Sequence, residues 1–277
     1  MPSHSERNLP RGAYGVVIPS IETPDLLSPA GERWSGIDIV RERGDASAPV
    51  RVGPDDATFP LVAGGSLTLR RRERTAIFRT PYPISDEELA HPYLAPVGAV
   101  FARWDGRESL HAGAFAVDGA AWGVIGGREA GKSTLLAALH AAGHAIVTDD
   151  VLVIEDGRAL AGPRALDLRP GAAEGAGLEG GGIAVRDGTR ERFRLPEAPA
   201  ELPVAGWVVL AWGDDVGLRL LPPAERFAPL AAQRSARLPG EDPLGLLDLV
   251  KLPVWELRRP RDFSALGAVV DRLAALG

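Results

Sequence analysis

The sequence predicts an α/β fold in which a small β-rich N-terminal domain, residues 1–95, precedes a larger domain, residues 96–277. Three observations support this prediction. Short β-rich runs separated by turn residues fill the first part of the chain. A buried strand then leads through a glycine-rich loop into a helix, and the strand that follows ends on two aspartates. Strands and helices that alternate in this way are typical of α/β proteins.

The composition excludes several classes of function. The 277 residues are 45% hydrophobic and 25% charged, as expected for a folded protein, and the net charge of −6 argues against a nucleic-acid or anionic-membrane partner. Cysteine is absent, which excludes disulfides and zinc–thiolate sites. The N-terminus lacks a signal-like apolar stretch, and no run approaches about 18 apolar residues. We therefore expect a soluble cytoplasmic protein.

The N-terminal domain is predicted to consist mainly of strands and carries no chemical motif. Ser85 is placed to cap a short helix over 85–91, ahead of Pro92. The predicted strands cover 15–19, 36–40, 50–52 and 66–70.

The larger domain begins with β-type patterns. Apolar runs predict strands over 97–104, 110–117 and 120–125, and Asp118-Gly119 is a hairpin signal between the last two. Apolar spacing predicts a helix over 132–142 that ends at Gly143. The glycine-dense segment 171–182 is expected to be mobile. Further strands are predicted over 144–150, 151–154, 206–212, 217–221 and 252–257, and further helices over 223–234 and 265–276.

The loop between the strand over 120–125 and the helix from Lys132 fits the P-loop pattern G-x-x-x-x-G-K-[ST] at every position. Backbone N–H groups of such a loop surround phosphate oxygens, and the helix N-terminus adds a favourable dipole. Lys132 is expected to bridge the β- and γ-phosphates, and Ser133 to coordinate Mg²⁺. A strand–helix turn that binds nothing is the alternative. The predicted nucleotide-binding residues are Gly126, Gly127, Arg128, Glu129, Ala130, Gly131, Lys132, Ser133 and Thr134, with ATP and Mg²⁺ as cofactors.

The scarcity of lysine strengthens this interpretation. Of 31 basic residues only Lys132 and Lys251 are lysines, and the rest are arginines. Arginine does not replace the compact ammonium group at a tight phosphate site. A lysine retained inside the P-loop pattern is therefore expected to have a specific role.

Two further candidates flank the loop in sequence. Asp149 and Asp150 end the strand after the P-loop helix, and ligands of α/β sheets bind at the carboxyl ends of strands. One aspartate can hold Mg²⁺ while the other accepts a proton from an attacking hydroxyl, although a turn between two strands would give the same pattern. His111 lies upstream, and a single histidine is more often a surface or core residue than a catalytic one.

In this order the motifs resemble the catalytic domain of HPr kinase/phosphorylase and its smaller relatives. The resemblance rests on Leu110-His-Ala-Gly113, on 126–134 and on Gly143-His-Ala-Ile-Val-Thr-Asp-Asp150, and is densest in 108–170. It implies a P-loop kinase domain of the HPr kinase/phosphoenolpyruvate carboxykinase type. That family phosphorylates a protein serine with ATP or sometimes pyrophosphate.

The resemblance also implies residue roles. Asp149 corresponds to the general base towards the acceptor hydroxyl, His111 to a histidine near that base, and Lys132 to the phosphate-binding lysine. Asp150 would lie by the metal with Ser133. The family's mobile loop falls around Glu174 to Gly182, where Glu174 or Glu179 is a further metal candidate. Three arginines that follow this loop, Arg190, Arg192 and Arg194, are candidates for contact with phosphate, with a solvated edge strand as the alternative.

Departures from the family limit what carries over. The Glu-x-Arg-Gly-x-Gly motif associated with phosphorylase activity is absent, and residues 1–95 do not resemble the family's regulatory domain. Segments 162–169 and 252–263 resemble smaller HPr-kinase-related proteins, some of which modify precursor peptides in natural-product pathways. The expected acceptor is therefore a Ser or Thr of a peptide or protein other than HPr. A small-molecule alcohol kinase and a non-catalytic ATP-binding switch or scaffold are the alternatives. A homo-oligomer is a further expectation, because relatives form hexamers.

Overall fold

A computed structural model describes residues 10–23, 25–238 and 243–277, and in these residues the chain forms a mixed α/β fold. Four β-sheets account for most of the regular structure, and the helices between them are few and short. The predicted α/β class is therefore confirmed. In the described ranges, no helix combines the length and the apolar character needed to cross a membrane.

The N-terminal region contains two of the sheets. The first has four short strands in the order β3-β1-β2-β4, and the second has five in the order β5-β9-β8-β7-β6. The strands are β1 (Arg11–Ala13), β2 (Val16–Val17), β3 (Ser28–Pro29), β4 (Ser35–Gly36), β5 (Asp38–Arg43), β6 (Arg51–Val52), β7 (Asp56–Pro60), β8 (Ser66–Arg70) and β9 (Thr75–Thr80).

The rest of the chain forms a nine-stranded sheet and a three-stranded one. In the larger sheet the order is β10-β14-β15-β19-β12-β11-β13. Off this path, β21 pairs with β19, and β20 pairs with β21. The smaller sheet has the order β16-β18-β17. These strands are β10 (Glu108–Leu110), β11 (Ala112–Val117), β12 (Ala120–Ile125), β13 (Ile146–Thr148), β14 (Leu152–Glu155), β15 (Arg158–Leu160), β16 (Ala165–Leu168), β17 (Ile183–Val185), β18 (Arg190–Arg194), β19 (Glu201–Trp212), β20 (Gly217–Leu220) and β21 (Val254–Arg259).

The helices are short, and several sequence signals define their ends. Ser85 caps the first helix through a capping box, in which its side chain accepts from Glu88 N–H and Glu88 accepts from Ser85 N–H. Gly143 follows the third helix with φ 93°, as a helix-ending glycine does. The α-helices are α1 (Asp86–Glu88), α2 (Leu94–Trp104), α3 (Lys132–Ala141), α4 (Ala172–Gly175), α5 (Pro223–Ala232), α6 (Leu247–Lys251) and α7 (Leu266–Ala274).

The strand predicted over 97–104 is wrong, because these residues belong to α2. Nine of the eleven residues of α2 are buried, so apolar residues run continuously through it and conceal the helical period. Gly98 lets the helix approach the N-terminal region closely: a Cβ there would lie 2.5 Å from Tyr14 Cβ. Helix α2 therefore lies in the same apolar cluster as strands of the N-terminal sheets. The division at residues 95 and 96 stays a prediction.

The glycine-dense segment 171–182 differs in part from the expectation of mobility. Its first half forms α4, and Ala172, Ala173 and Ala176 are buried in the core beneath α3 and α7. Gly175 packs against Phe263, since a Cβ there would lie 2.5 Å from the ring. The small residues allow close packing, which composition alone does not distinguish from flexibility.

The strand–loop–helix unit that positions the candidate site is formed as predicted. Strand β12 pairs antiparallel with β11 and parallel with the long central strand β19, and it leads through the loop 126–131 into α3. Strand β13 pairs with β11 on the far side, which brings its end close to the start of α3.

Candidate functional site

Two glycines of the predicted P-loop, Gly126 and Gly131, occupy positions where a side chain would be crowded. Gly131 has φ 80°, and a Cβ there would lie 2.7 Å from the guanidinium of Arg259. A Cβ on Gly126 would meet Ala130 and Leu210 at 3.0 and 3.2 Å. Helix α3 begins directly after Gly131, and the first N–H groups of a helix have no intrahelical partner. The loop therefore presents backbone donors at a helix N-terminus, where anions bind.

Lys132 is buried at the first position of α3. Its ammonium Nζ donates to the carbonyl oxygens of Gly126 at 2.9 Å and Gly127 at 3.5 Å, so the side chain folds back over the loop. Burial lowers its pKa, while the charges of Asp149 and Asp150 act in the opposite direction. A phosphate that accepted from Nζ would replace these neutral carbonyl acceptors with an anionic one.

Asp149 follows β13 and is 3% exposed. Its Oδ1 accepts a hydrogen bond from Ser133 Oγ at 3.2 Å, which joins the end of one strand to the first turn of the P-loop helix. Burial, and then the charge of Asp150, raise the pKa of Asp149 to about 7. A carboxyl group with such a pKa can exchange a proton near neutral pH.

Asp150 and His111 lie on the other side of Asp149. Asp150 has φ 67°, a conformation that turns the chain sharply between β13 and β14. His111 lies between the end of β10 and the start of β11, and its backbone N–H donates to the backbone carbonyl of Gln233 at 2.6 Å. The pKa of His111 is lowered, first by burial and then by the charge of Lys132. The charge of Asp150 and a hydrogen bond with the backbone of Asp150 oppose this shift. The two side chains are thus neighbours at the cavity wall.

These residues surround one cavity of about 640 Å³, a size that suits a nucleotide. The structure brings together His111, Asp149, Asp150 and seven of the nine predicted P-loop residues, while Gly126 and Gly127 do not line the cavity. The P-loop residues at the wall are Arg128, Glu129, Ala130, Gly131, Lys132, Ser133 and Thr134.

Of the three arginines considered after the glycine-dense segment, only Arg190 lines the cavity. Arg192 is 3% exposed and belongs to a buried ion pair, and Arg194 pairs at the surface with Asp25 and Glu87. Glu174 and Glu179 do not line the cavity. Sequence reasoning assigned no role to eight polar or aromatic residues that do line it, namely Asp167, Arg169, Arg186, Trp212, Arg259, Arg261, Asp262 and Phe263.

Asp167 links the cavity to the N-terminal region. Its carboxylate accepts from Arg192 Nε at 2.8 Å and Nη2 at 3.0 Å, and Arg192 also donates to His91 O at 2.6 Å. His91 Nε2 lies 3.5 Å from Asp167 Oδ2 and 3.9 Å from Asp150 Oδ2, with no hydrogen-bond partner in the described residues. Burial lowers the pKa of His91, although the nearby carboxylates of Asp167 and Asp150 act in the opposite direction. No local pattern marks His91, since it lies far from the P-loop in sequence.

The donor set fits Mg²⁺ and a triphosphate. A serine hydroxyl and two carboxylates are oxygen ligands of the kind Mg²⁺ prefers, and the loop with Lys132 offers donors to phosphate oxygens. In the described ranges no group of three or more His, Asp or Glu side chains is arranged to hold a metal ion. Mg²⁺ commonly takes only one or two protein carboxylates and completes its shell with phosphates and water, so the site suits a metal that arrives with a nucleotide.

Comparisons with known proteins leave the family open. No family model matches the chain, and no curated protein matches it. Among solved structures, the chain is similar to the HPr(Ser) kinase/phosphatase from Coxiella burnetii, with a TM-score of 0.31 and 18% sequence identity. The match covers 61% of this chain and 97% of that one. This is a weak similarity at the level of the fold.

Proposed function

We propose that the protein is a Mg²⁺-dependent kinase that transfers the γ-phosphoryl group of ATP to a hydroxyl, most simply a Ser or Thr of a peptide or protein. The observation that carries the proposal is the hydrogen bond from Ser133 to Asp149 beside Lys132. It joins the predicted phosphate and metal ligands to a carboxyl group that titrates near neutral pH.

The chain's own residues have distinct tasks in this scheme. Lys132 and the N–H groups at the start of α3 bind and orient the β- and γ-phosphates. Ser133 and Asp150 would hold Mg²⁺, which would supply positive charge to the phosphate oxygens. Asp149 accepts the proton of the attacking hydroxyl, and its pKa of about 7 makes it a competent acceptor. His111, which is close to Asp150, would help to orient that hydroxyl.

A second division of roles between the aspartates has support of its own. Because Asp149, and not Asp150, contacts Ser133, Asp149 is also placed to share Mg²⁺ with that hydroxyl. Asp150 would then face the acceptor with His111. The two divisions differ in outcome: loss of a metal ligand raises the Mg²⁺ concentration needed for transfer, whereas loss of the base abolishes transfer at every Mg²⁺ concentration.

Transfer from γ-labelled ATP tests the proposal, with Ser- and Thr-containing peptides and small alcohols as acceptors. Asp149→Asn is expected to bind Mg–ATP about as well as the unaltered protein and to lose transfer by a factor of about 10² or more. Asp248→Asn, at an exposed carboxylate outside the cavity, is the matched control and is expected to keep full activity.

The outcomes separate the alternatives. Retained transfer by Asp149→Asn would contradict the role of Asp149 as base. Transfer only to small alcohols would indicate a small-molecule kinase. Tight Mg–ATP binding without transfer to any acceptor would favour a non-catalytic switch or scaffold, which needs no base beside the phosphates.

A further inference from the structure

Trp212 is an exposed aromatic residue at the wall of a largely polar cavity. It ends the central strand β19 and is 42% exposed. Its six-membered ring lies against the P-loop, because Cη2 is 3.5 Å from the position that a Cβ on Gly131 would take. A flat ligand group that covered this indole beside the predicted phosphate site would remove apolar surface from water.

Arg259 holds Trp212 in place. The two residues are register partners on β19 and β21, and the guanidinium carbon of Arg259 lies 4.4 Å from the centre of the indole. Arg259 in turn donates to Ala130 O at 2.7 Å and to Gly131 O at 3.4 Å. The aromatic ring, the arginine and the loop therefore form one fixed unit, so a group that stacks on the ring costs little ordering.

The charge state of Arg259 also indicates a ligand nearby. It is 4% exposed, has no carboxylate partner among the described residues, and its Nε lacks a hydrogen-bond partner there. Burial lowers its pKa to about 10, which leaves it charged at neutral pH. A buried cation without a counter-ion is unfavourable until an anion enters the cavity.

Two more side chains extend this wall beyond the loop. Arg261 places its guanidinium carbon 5.6 Å from the centre of the Trp212 ring. Phe263 is 50% exposed and lines the same cavity. Aromatic and guanidinium groups around an open face are the usual surroundings of a stacked nucleobase.

We propose that Trp212, backed by Arg259, is the stacking platform for the nucleobase of the phosphoryl donor. This inference rests on the proposed function and deepens it: the donor is a nucleoside triphosphate, and inorganic pyrophosphate or polyphosphate is not the preferred donor. Lys132 and the loop recognise the phosphates, and the platform recognises the base.

Calorimetric titration with two ligands tests the platform. Mg–ATP carries a base, whereas Mg–tripolyphosphate presents the phosphate chain alone. Trp212→Ala is expected to weaken Mg–ATP binding by about 5- to 150-fold, the range for loss of one base–aromatic stack, and to leave Mg–tripolyphosphate binding unchanged. Phe227→Ala is the control, because Phe227 is also about 40% exposed but lies on α5 outside the cavity.

Trp212→Phe provides a second test that does not depend on a large truncation. A phenylalanine keeps a smaller stacking surface, so an intermediate loss of Mg–ATP affinity is expected. Mg–ATP should also quench the tryptophan fluorescence of the unaltered protein, whereas Trp212→Phe should lose that quenching and Mg–tripolyphosphate should cause none in either protein.

Three results would contradict the inference. Unchanged Mg–ATP affinity in Trp212→Ala would show that the base binds elsewhere. An equal loss for both ligands would show that Trp212 only supports Gly131 and the loop. If the unaltered protein bound neither ligand, the proposed function itself would fail, which is distinguishable because the first two results leave tripolyphosphate binding measurable.

Discussion

Burial of the Asp149 carboxyl group raises its pKa, and this shift also makes the stability of the fold depend on pH. Its pKa of about 7 in the folded protein lies above the value of about 3.9 for an unfolded aspartate. Between these values the unfolded chain binds fewer protons than the folded one, so this group's contribution falls as pH rises from about 4 and levels off above about 7. Ionisation of the buried Asp149 therefore lowers the free energy of unfolding very little at pH 4 and almost to its full extent at pH 8.

Asp149→Asn should remove this cost in the protein free of metal and nucleotide. We expect the substitution to raise the free energy of unfolding by about 2–4 kcal/mol more at pH 8 than at pH 4.5. Urea denaturation at the two pH values measures the difference. The same effect at both pH values would contradict the raised pKa of Asp149.

At the residue scale, the sequence motifs led to the candidate site residues that belong to those motifs. Loop 128–134, Asp149, Asp150 and His111 all line one cavity. Trp212, Arg259 and Asp167 could not be predicted, because each lies in an ordinary strand outside any sequence motif. Their place at the cavity follows from sheet pairing, such as the register of β19 with β21. Sequence periodicity does not specify this register.

Helix α2 provides a test at the scale of elements, because its packing depends on Gly98. A Cβ at Gly98 would lie within 2.8 Å of three atoms of the Tyr14 side chain, which is itself fully buried. Gly98→Ala is therefore expected to lower the free energy of unfolding by about 1–3 kcal/mol through overpacking. Thermal or urea denaturation measures the loss.

Gly267 is the matched control within α7. It is also a helical glycine, but it is exposed, and nothing lies within 4 Å of the position that a Cβ would take. Gly267→Ala should raise the free energy of unfolding by about 0.5–1 kcal/mol, as expected from helix propensity. If both substitutions raised the free energy of unfolding, the close approach of α2 to Tyr14 would be wrong.

Elements with strong local signals were predicted well, and those without them were not. The predicted turn at Asp118-Gly119 has positive φ at both residues, as the two-residue hairpin pattern requires. Helix α2 was mistaken for a strand because a helix buried on nearly all sides lacks the polar positions that reveal its period. Element type is thus readable where one face meets water and ambiguous where none does.

At the scale of the whole molecule, the cavity is assembled from distant parts of the chain. The P-loop supplies one wall, the segment 167–190 another, and the end of β21 with the residues after it a third. The N-terminal region is joined to this assembly at Glu87 and His91. Arg192, on β18, donates to the backbone carbonyl oxygens of both residues. The sequence predicts two domains but does not show this connection.

Asp167→Asn tests the connection. The Asp167 and Arg192 side chains are only 4% and 2% exposed, and the substitution leaves the guanidinium buried without its counter-ion. We expect a loss of about 3 kcal/mol in the free energy of unfolding. Asp248→Asn breaks an ion pair with Lys251 in which both partners are more than 70% exposed, and it should cost less than about 1 kcal/mol. Similar effects of the two substitutions would contradict a buried link.

The most direct measurement of the central claim is the affinity for Mg–ATP of the unaltered protein and of its two lysine variants. Lys132→Ala removes the cavity ammonium, and Lys251→Ala removes the chain's other lysine, which pairs with Asp248 at the surface. We predict that Lys132→Ala weakens Mg–ATP binding by at least about tenfold, the loss of one charge-assisted phosphate contact, while Lys251→Ala binds normally. Equal affinities for all three proteins would contradict a phosphate site at this loop.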